Sequence, residues 1–180
     1  MLIAVASEKY FTGRYYLAGG TALAEFYLQH RISEDLDFFT EKREVNPVAV
    51  LRFFQKQAKR LDIQRIETKT VLGLYTLFLH FNDDEVLKVD FNYYPFPRIE
   101  RGVKFKNFEI ESIYDIAVDK VHTIALRPRA RDFIDVYFIM KEKEYDFHEL
   151  LMQAKAKFDW DISALELGSR FQEALAVKDY

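Results

Sequence analysis

The sequence predicts an α+β protein: a mixed β-sheet with flanking helices over residues 1–111, followed by a helical part over 112–180 packed on that core. Three observations carry this. Hydrophobic side chains make up 49% of the 180 residues, with 17 Phe and 11 Tyr among them, which is ample for a folded core. Up to about Ile110 the apolar pattern switches between a period of two and a helical period. From Ser112 onward only the helical period remains.

Tyr15 to Ala18 reads as a short strand ending at Gly19-Gly20, and Leu23, Phe26, Tyr27 and His30 then recur at helical spacing from about Thr21. Asp35 to Phe39 alternates as a strand, with carboxylates on one side and Leu36 and Phe38 on the other. Pro47 opens a helix to about Leu61, since a proline is tolerated in the first turn. Three β-like runs follow, Ile63 to Thr70, Leu74 to Phe81 and Val86 to Tyr93. Gly73 separates the first two and Asn82-Asp83-Asp84 the second two, so hairpins are expected. Val103 to Ile110 is expected to be one more strand. Ser112 caps a helix to about Leu126 that carries Ile113, Ile116, Ala117, Val121 and Ile124 on one face. Pro128 interrupts it, and helices are expected from Ala130 or Arg131 to Lys141, from Phe147 to Phe158 and from Ile162 to Ala176.

Composition excludes several classes. The net charge of −3 gives no global basic field for nucleic acid, although a local patch remains open. The absence of cysteine removes disulfides and thiolate metal sites and suits a reducing, cytoplasmic setting. The longest apolar run, Val71 to Phe81, is too short to span a bilayer, and Met1 to Ala6 is too short for a signal peptide. No membrane association is expected.

The chemistry-bearing residues begin with Asp35 and Asp37. On a strand, residues two apart share a face, so these carboxylates lie about 6–7 Å apart along the chain. Unless a cation joins them they repel, and hard oxygen donors select Mg²⁺ or Mn²⁺. Surface strands also carry such pairs by chance. Asp90 strengthens the metal reading, because LKVDFNYY sets it in an apolar, aromatic strand where an isolated carboxylate is costly. If that strand neighbours Asp35 to Phe39, about 4.8 Å away, three carboxylates meet; the alternative is that Asp90 pairs with Lys88 on its own face. Gly19-Gly20 entering a helix at Thr21 would present backbone N–H groups to a phosphate, with the Thr21 hydroxyl as a cap or a further donor.

Gly19-Gly20-Thr21-Ala22-Leu23, followed by His30-Arg31-Ile32-Ser33-Glu34-Asp35-Leu36-Asp37-Phe38, resembles the signature of the AbiEii/AbiGii toxin nucleotidyltransferases of the DNA polymerase beta-like superfamily. Downstream, Lys120 and Arg127-Pro128-Arg129-Ala130-Arg131-Asp132-Phe133-Ile134-Asp135 resemble that family's second signature. The resemblance covers about Tyr15 to Met140. The chain ahead of the diglycine is short, so a leading helix found in relatives is expected to be missing or trimmed, and no motif is matched beyond Met140.

The resemblance implies a nucleotidyltransferase-like fold and metal-dependent transfer of a nucleoside monophosphate from an NTP to an acceptor hydroxyl. Asp35, Asp37 and Asp90 would bind Mg²⁺ or Mn²⁺, and Asp90 would take the acceptor's proton. Gly19, Gly20 and Thr21 would hold the phosphates, with Arg31 and Ser33 as further phosphate contacts. Lys120 lies on the apolar face of its helix and calls for an anion, or else reaches out at the edge of the core; the family places it at the triphosphate. Asp132 is either a first-turn stabiliser or, as in the family, an active-site residue; Asp135 reads as structural. His30 and Arg31 also suit a helix C-terminus. Arg127, Arg129 and Arg131 would grip phosphate or form a solvated loop, while His80, His122 and His148 show no metal-ligand spacing. By resemblance the protein is the toxin of a type IV-like toxin–antitoxin or phage-defence system, with tRNA as acceptor and a separate antitoxin protein as partner. A small-molecule nucleotidyltransferase of the antibiotic-modifying type and a non-catalytic nucleotide-binding or partner-binding relative are the alternatives.

Overall fold

The computed structural model describes residues 1–42, 44–82 and 84–174. Asp83, expected in a hairpin turn, and the expected helix end at Ala176 lie outside the described residues. The chain divides into two compact units. One comprises Met1–Ala22, Ile32–Pro95 and Gly102–Glu111; the other comprises Leu23–Arg31, Phe96–Arg101 and the chain from Ser112 onward.

The first unit holds a seven-stranded mixed sheet. Its strands are β1 (Tyr16–Ala18), β2 (Leu36–Thr40), β3 (Arg65–Val71), β4 (Leu74–His80), β5 (Val86–Tyr93), β6 (Lys104–Phe105) and β7 (Phe108–Ile110), in the order β3-β4-β5-β2-β1-β7-β6. The β2–β5 and β1–β7 pairs are parallel, and the others are antiparallel. The β3–β4 hairpin turns through Leu72 and Gly73, both at positive φ (44° and 84°), which closes a two-residue loop that matches the twist of the strands. The expected single strand Val103 to Ile110 is two short strands instead, because Lys106 takes a left-handed φ of 55° and the chain folds back on itself. At the sheet's edge β3 is almost wholly exposed, and Arg65 pairs with Glu67 along it.

Register and the two-residue period divide the sheet into rows. Ile110, Leu17, Phe38, Phe91 and Tyr75 are successive cross-strand neighbours and all are buried. Against this row pack Val50 and Phe54 of α4 (Pro47–Gln57), with Asn46 accepting the Ala49 N–H at 3.0 Å as the helix cap. A 3₁₀ turn, Ala58–Leu61, completes the helix expected to end at Leu61. The segment ahead of the diglycine, where a leading helix is expected to be missing or trimmed, forms two short helices, α1 (Leu2–Ala6) and α2 (Lys9–Thr12). Aromatic packing holds it there: the buried Phe11 ring lies 5.5 Å from Phe91 and 4.8 Å from Phe53. The next row along, Ala18, Asp37, Asp90 and Thr76, points to the opposite face.

After β1 the chain enters α3 (Gly19–Leu23), two residues earlier than the periodicity predicts. Ala24–Leu28 continues it as a π-helical turn, closed by Gln29 at φ 51°.

The helical unit is built on α5 (Ile113–Leu126), which packs against α6 (Ala130–Glu142), α7 (Phe147–Phe158) and α8 (Ala164–Glu173). The Ser112 hydroxyl accepts the Asp115 N–H at 2.9 Å, and Ile113, Ile116, Ala117, Val121 and Ile124 are buried as their spacing predicts. Buried Asp115 accepts the N–H groups of Ile99 and Glu100 and the Lys157 ammonium, which fixes the Phe96–Arg101 segment. The His122 ring stacks on Phe158 with ring centroids 3.8 Å apart. Among the described residues no helix is long and apolar enough to cross a membrane.

Phe91 touches the rings of Phe11, Tyr15, Phe38 and Phe54. Phe91→Ala should therefore lower unfolding free energy by about 3–5 kcal/mol, read from urea denaturation.

Candidate active site

The site in the sheet unit follows from strand register. In the parallel β2–β5 pair Asp37 lies directly opposite Asp90, on strands about 4.8 Å apart. Asp90 is buried at 6% exposure, and both of its oxygens are engaged: Oδ1 accepts the Thr76 hydroxyl and Oδ2 accepts the Lys88 ammonium, each at 2.6 Å. Lys88 Nζ also lies 3.8 Å from Asp35 Oδ2. Both readings of Asp90 therefore hold together, since it neighbours the Asp-x-Asp strand and it pairs with Lys88. Burial alone would lower the pKa of the Lys88 ammonium. The Asp90 hydrogen bond and charge, joined by the charges of Asp35 and Asp37, outweigh burial and raise it.

Gly19 is the neighbour of this cluster that requires glycine. Its φ is +68°, and an added Cβ would come within 3.1 Å of Asp37 Oδ2. The Gly19 N–H donates to buried Glu111 at 3.3 Å, so this amide already has a partner within the protein. Gly20 follows in the first turn of α3, where helical hydrogen bonding leaves amide N–H groups over. Thr21, expected to cap the helix or meet a phosphate, is buried, and its hydroxyl donates to the Asp35 carbonyl. The Ser33 hydroxyl lies 3.0 Å from Thr21 Oγ1. In the geometry observed, Thr21 and Ser33 hold the backbone that carries Asp35.

In chemical kind the carboxylates of Asp35, Asp37 and Asp90 are donors that suit a hard divalent cation, and the charge they meet in this structure is the Lys88 ammonium. As the side chains are placed, they do not form a closed ligand shell. Among the described residues no group of three or more His, Asp or Glu is disposed to hold a metal ion.

The remaining sequence-predicted residues belong to the helical unit. Lys120, on α5, donates to Asp132 Oδ1 at 2.6 Å and lies 2.7 Å from Asp135 Oδ2. Asp135 also receives the His30 Nε2–H at 2.7 Å and both edges of the Arg31 guanidinium, Nε at 2.7 Å and Nη2 at 2.9 Å. Arg129 approaches Asp132 through its backbone N–H and its Nε. Arg31 and Lys120, expected at phosphate, are thus neutralised by carboxylates. Both aspartates are fully buried. Burial pushes the Asp135 carboxyl up, but the Arg31, Lys120 and His30 contacts prevail and hold it at about 2. Burial likewise opposes ionisation of Asp132, and Lys120 and Arg129 prevail to lower its pKa.

Sequence reasoning missed the scale of the Asp135 hub, although its i, i+3 spacing from Asp132 placed both on one helix face. It also missed Thr76 and Glu111, which have no local signal. Lys88 had one: it lies two residues before Asp90 on the same strand face.

A mixed seven-stranded sheet with carboxylates on adjacent central strands is a nucleotidyltransferase-like fold. JHP933 from Helicobacter pylori superimposes with a TM-score of 0.59 at 22% identity, covering 96% of this chain and 88% of that one. The Megavirus polyadenylate synthase superimposes with a TM-score of 0.52 at 16% identity, covering 81% of this chain and 32% of that one. At these identities the likeness speaks for the fold.

The chain belongs to the AbiEii family of nucleotidyl transferase toxins of type IV toxin–antitoxin systems, whose profile matches residues 2–179. An uncharacterized protein of Aquifex aeolicus (strain VF5), aq_aa25, is 30% identical over 147 residues. That match takes in 80% of this chain and 66% of the relative, just under two thirds of its length.

Two outcomes are expected. Because the folded-state pKa of Asp135 is depressed from 3.8 to about 2, its ion pairs contribute stability above the unfolded value that fades as pH falls from about 4 through about 2. Urea denaturation across that window should show a loss on the order of 2 kcal/mol that Asp135→Asn, already destabilised, does not share. Gly19→Ala should cost about 1–2 kcal/mol in thermal or urea unfolding through its left-handed backbone and its crowding of Asp37.

Proposed function

We propose that this chain is a metal-dependent nucleotidyltransferase that moves a nucleoside monophosphate from an NTP onto an acceptor hydroxyl, acting as the toxin of a toxin–antitoxin or phage-defence system. The observation that carries the reading is Asp37 set against Asp90 on adjacent parallel strands, with Asp35 reaching the same lysine and Gly19 leaving no side chain over Asp37.

Asp35, Asp37 and Asp90 are the residues that would hold Mg²⁺ or Mn²⁺, which when bound supplies positive charge to the triphosphate and to the oxygens of an in-line displacement. The Thr21 hydroxyl keeps the Asp35 carbonyl fixed, and so keeps its carboxylate near that of Asp37. Gly19 and Gly20 give the β- and γ-phosphates a close approach to backbone. The acceptor oxygen attacks the α-phosphorus, forming the new O–P bond as the bond to the bridging oxygen breaks. Pyrophosphate departs, and the hydroxyl proton passes to the Asp90 carboxylate. Family membership extends the machinery to Lys120 and Asp132, which form an ion pair at 2.6 Å. It also favours a tRNA acceptor, a separate antitoxin protein as partner and a cytoplasmic site of action.

The test is incubation with labelled NTPs, Mg²⁺ and total tRNA. Label should appear on RNA, and Asp37→Ala should reduce the rate at least about a thousandfold. Expression should arrest growth, and both Asp37→Ala and Lys120→Ala should relieve the arrest. Label on a small hydroxyl compound in place of RNA would redirect the reading to small-molecule modification, and no transfer to any acceptor would overturn it.

A further inference from the structure

Resting on the metal-dependent reading above, we infer that Lys88 is the resident counter-ion of the metal site: its ammonium occupies Asp90 and Asp35 until a divalent cation displaces it. Three observations lead there. Lys88 Nζ contacts Asp90 Oδ2 at 2.6 Å and Asp35 Oδ2 at 3.8 Å, so one cation bridges two of the three carboxylates. Asp90's other oxygen accepts the Thr76 hydroxyl, which tethers the carboxylate with Oδ2 toward the ammonium, so a new cation approaching Oδ2 meets the charge of Lys88. The Lys88 side chain is itself 37% exposed, against 9% for that of Asp90, so it has solvent to move into while the carboxylate stays in place.

The carboxylates explain why such a counter-ion is needed. Asp37 and Asp90 face one another across adjacent strands, and two ionised groups at that spacing repel strongly in a partly dry setting. An ammonium that shares their face relieves the repulsion. It also opposes metal entry, because a divalent ion must either expel the ammonium or accept its repulsion. Lys88 thereby sets a threshold for metal loading. A triphosphate arriving with the metal lowers that threshold, since its negative charge gives the displaced ammonium a new partner. Lys88 is a positioning residue in this account, acting on the reaction through the carboxylates.

Mn²⁺ binding to the full chain, measured by titration calorimetry without nucleotide and paired with thermal unfolding, tests this. Lys88→Met keeps the side-chain length and removes the charge, and Lys88→Gln is the second variant should the first fold poorly. Both should bind Mn²⁺ at least about tenfold more tightly than wild type. They should also unfold at lower temperature without metal and gain more from Mn²⁺ than wild type does. Added NTP should raise Mn²⁺ affinity more in wild type than in either variant. Unchanged or weaker Mn²⁺ binding in both variants, with wild-type binding intact and abolished by Asp37→Asn, would overturn the counter-ion role and leave the metal site standing. Absence of Mn²⁺ binding in wild type and in both variants, with and without NTP, would overturn the metal reading itself.

Discussion

Carboxylates placed side by side repel unless a cation stands among them, and the charged interior of this protein is organised by that constraint. In the sheet unit the constraint arises from register, which sets Asp37 beside Asp90, and Lys88 answers it. In the helical unit it arises from helical spacing, which sets Asp132 and Asp135 on one face of α6, and Lys120, Arg129, Arg31 and His30 answer it. The two solutions differ in kind. In the helical cluster the aspartates are fully buried and Lys120 and His30 nearly so, with Arg129 alone at the rim, which suits a fixed arrangement. The sheet cluster keeps its cation partly exposed, which suits exchange for another.

Around the sheet cluster the supporting parts hold the carboxylates in place without crowding them. Gly19 adopts a left-handed backbone and offers no Cβ to Asp37. Thr21 is turned inward to the Asp35 carbonyl, while Thr76 tethers the far oxygen of Asp90. On the opposite face the row Leu17, Phe38 and Phe91 anchors the same strands in an aromatic core. Asp37 and Asp90 thus each sit between two residues whose burial fixes the backbone that carries them.

Much of this was legible in local pattern. Val86 to Tyr93 alternates cleanly and is a strand over those residues, and Phe147 to Phe158 has the helical period and is a helix over those residues. Asp90 stood out because an aspartate in an apolar strand needs a reason. Where the local rules fell short, the cause was a contact distant in sequence or a backbone torsion that periodicity does not encode. Arg31 reads as a helix-end charge, yet its partner Asp135 is 104 residues away. Thr21 reads as a cap, yet its acceptor is the carbonyl of Asp35. A lysine at positive φ splits Val103 to Ile110 into a hairpin, and nothing in its identity announces that. The short helix α2 is likewise seated by a distant contact, the packing of Phe11 against Phe91.

The exposed edge strand β3 carries a consequence of another sort. A sheet that ends in an open strand offers unpaired N–H and C=O groups to any passing chain, and growth by strand addition is the usual hazard. Here that border is Arg65, Glu67, Thr68, Lys69 and Thr70, with charges and hydroxyls in place of an apolar stripe. A second copy docking edge to edge would have to strip those charges and hydroxyls of water. The strand most available for recruitment is therefore the one least able to aggregate, a safeguard for a protein rich in phenylalanine and tyrosine.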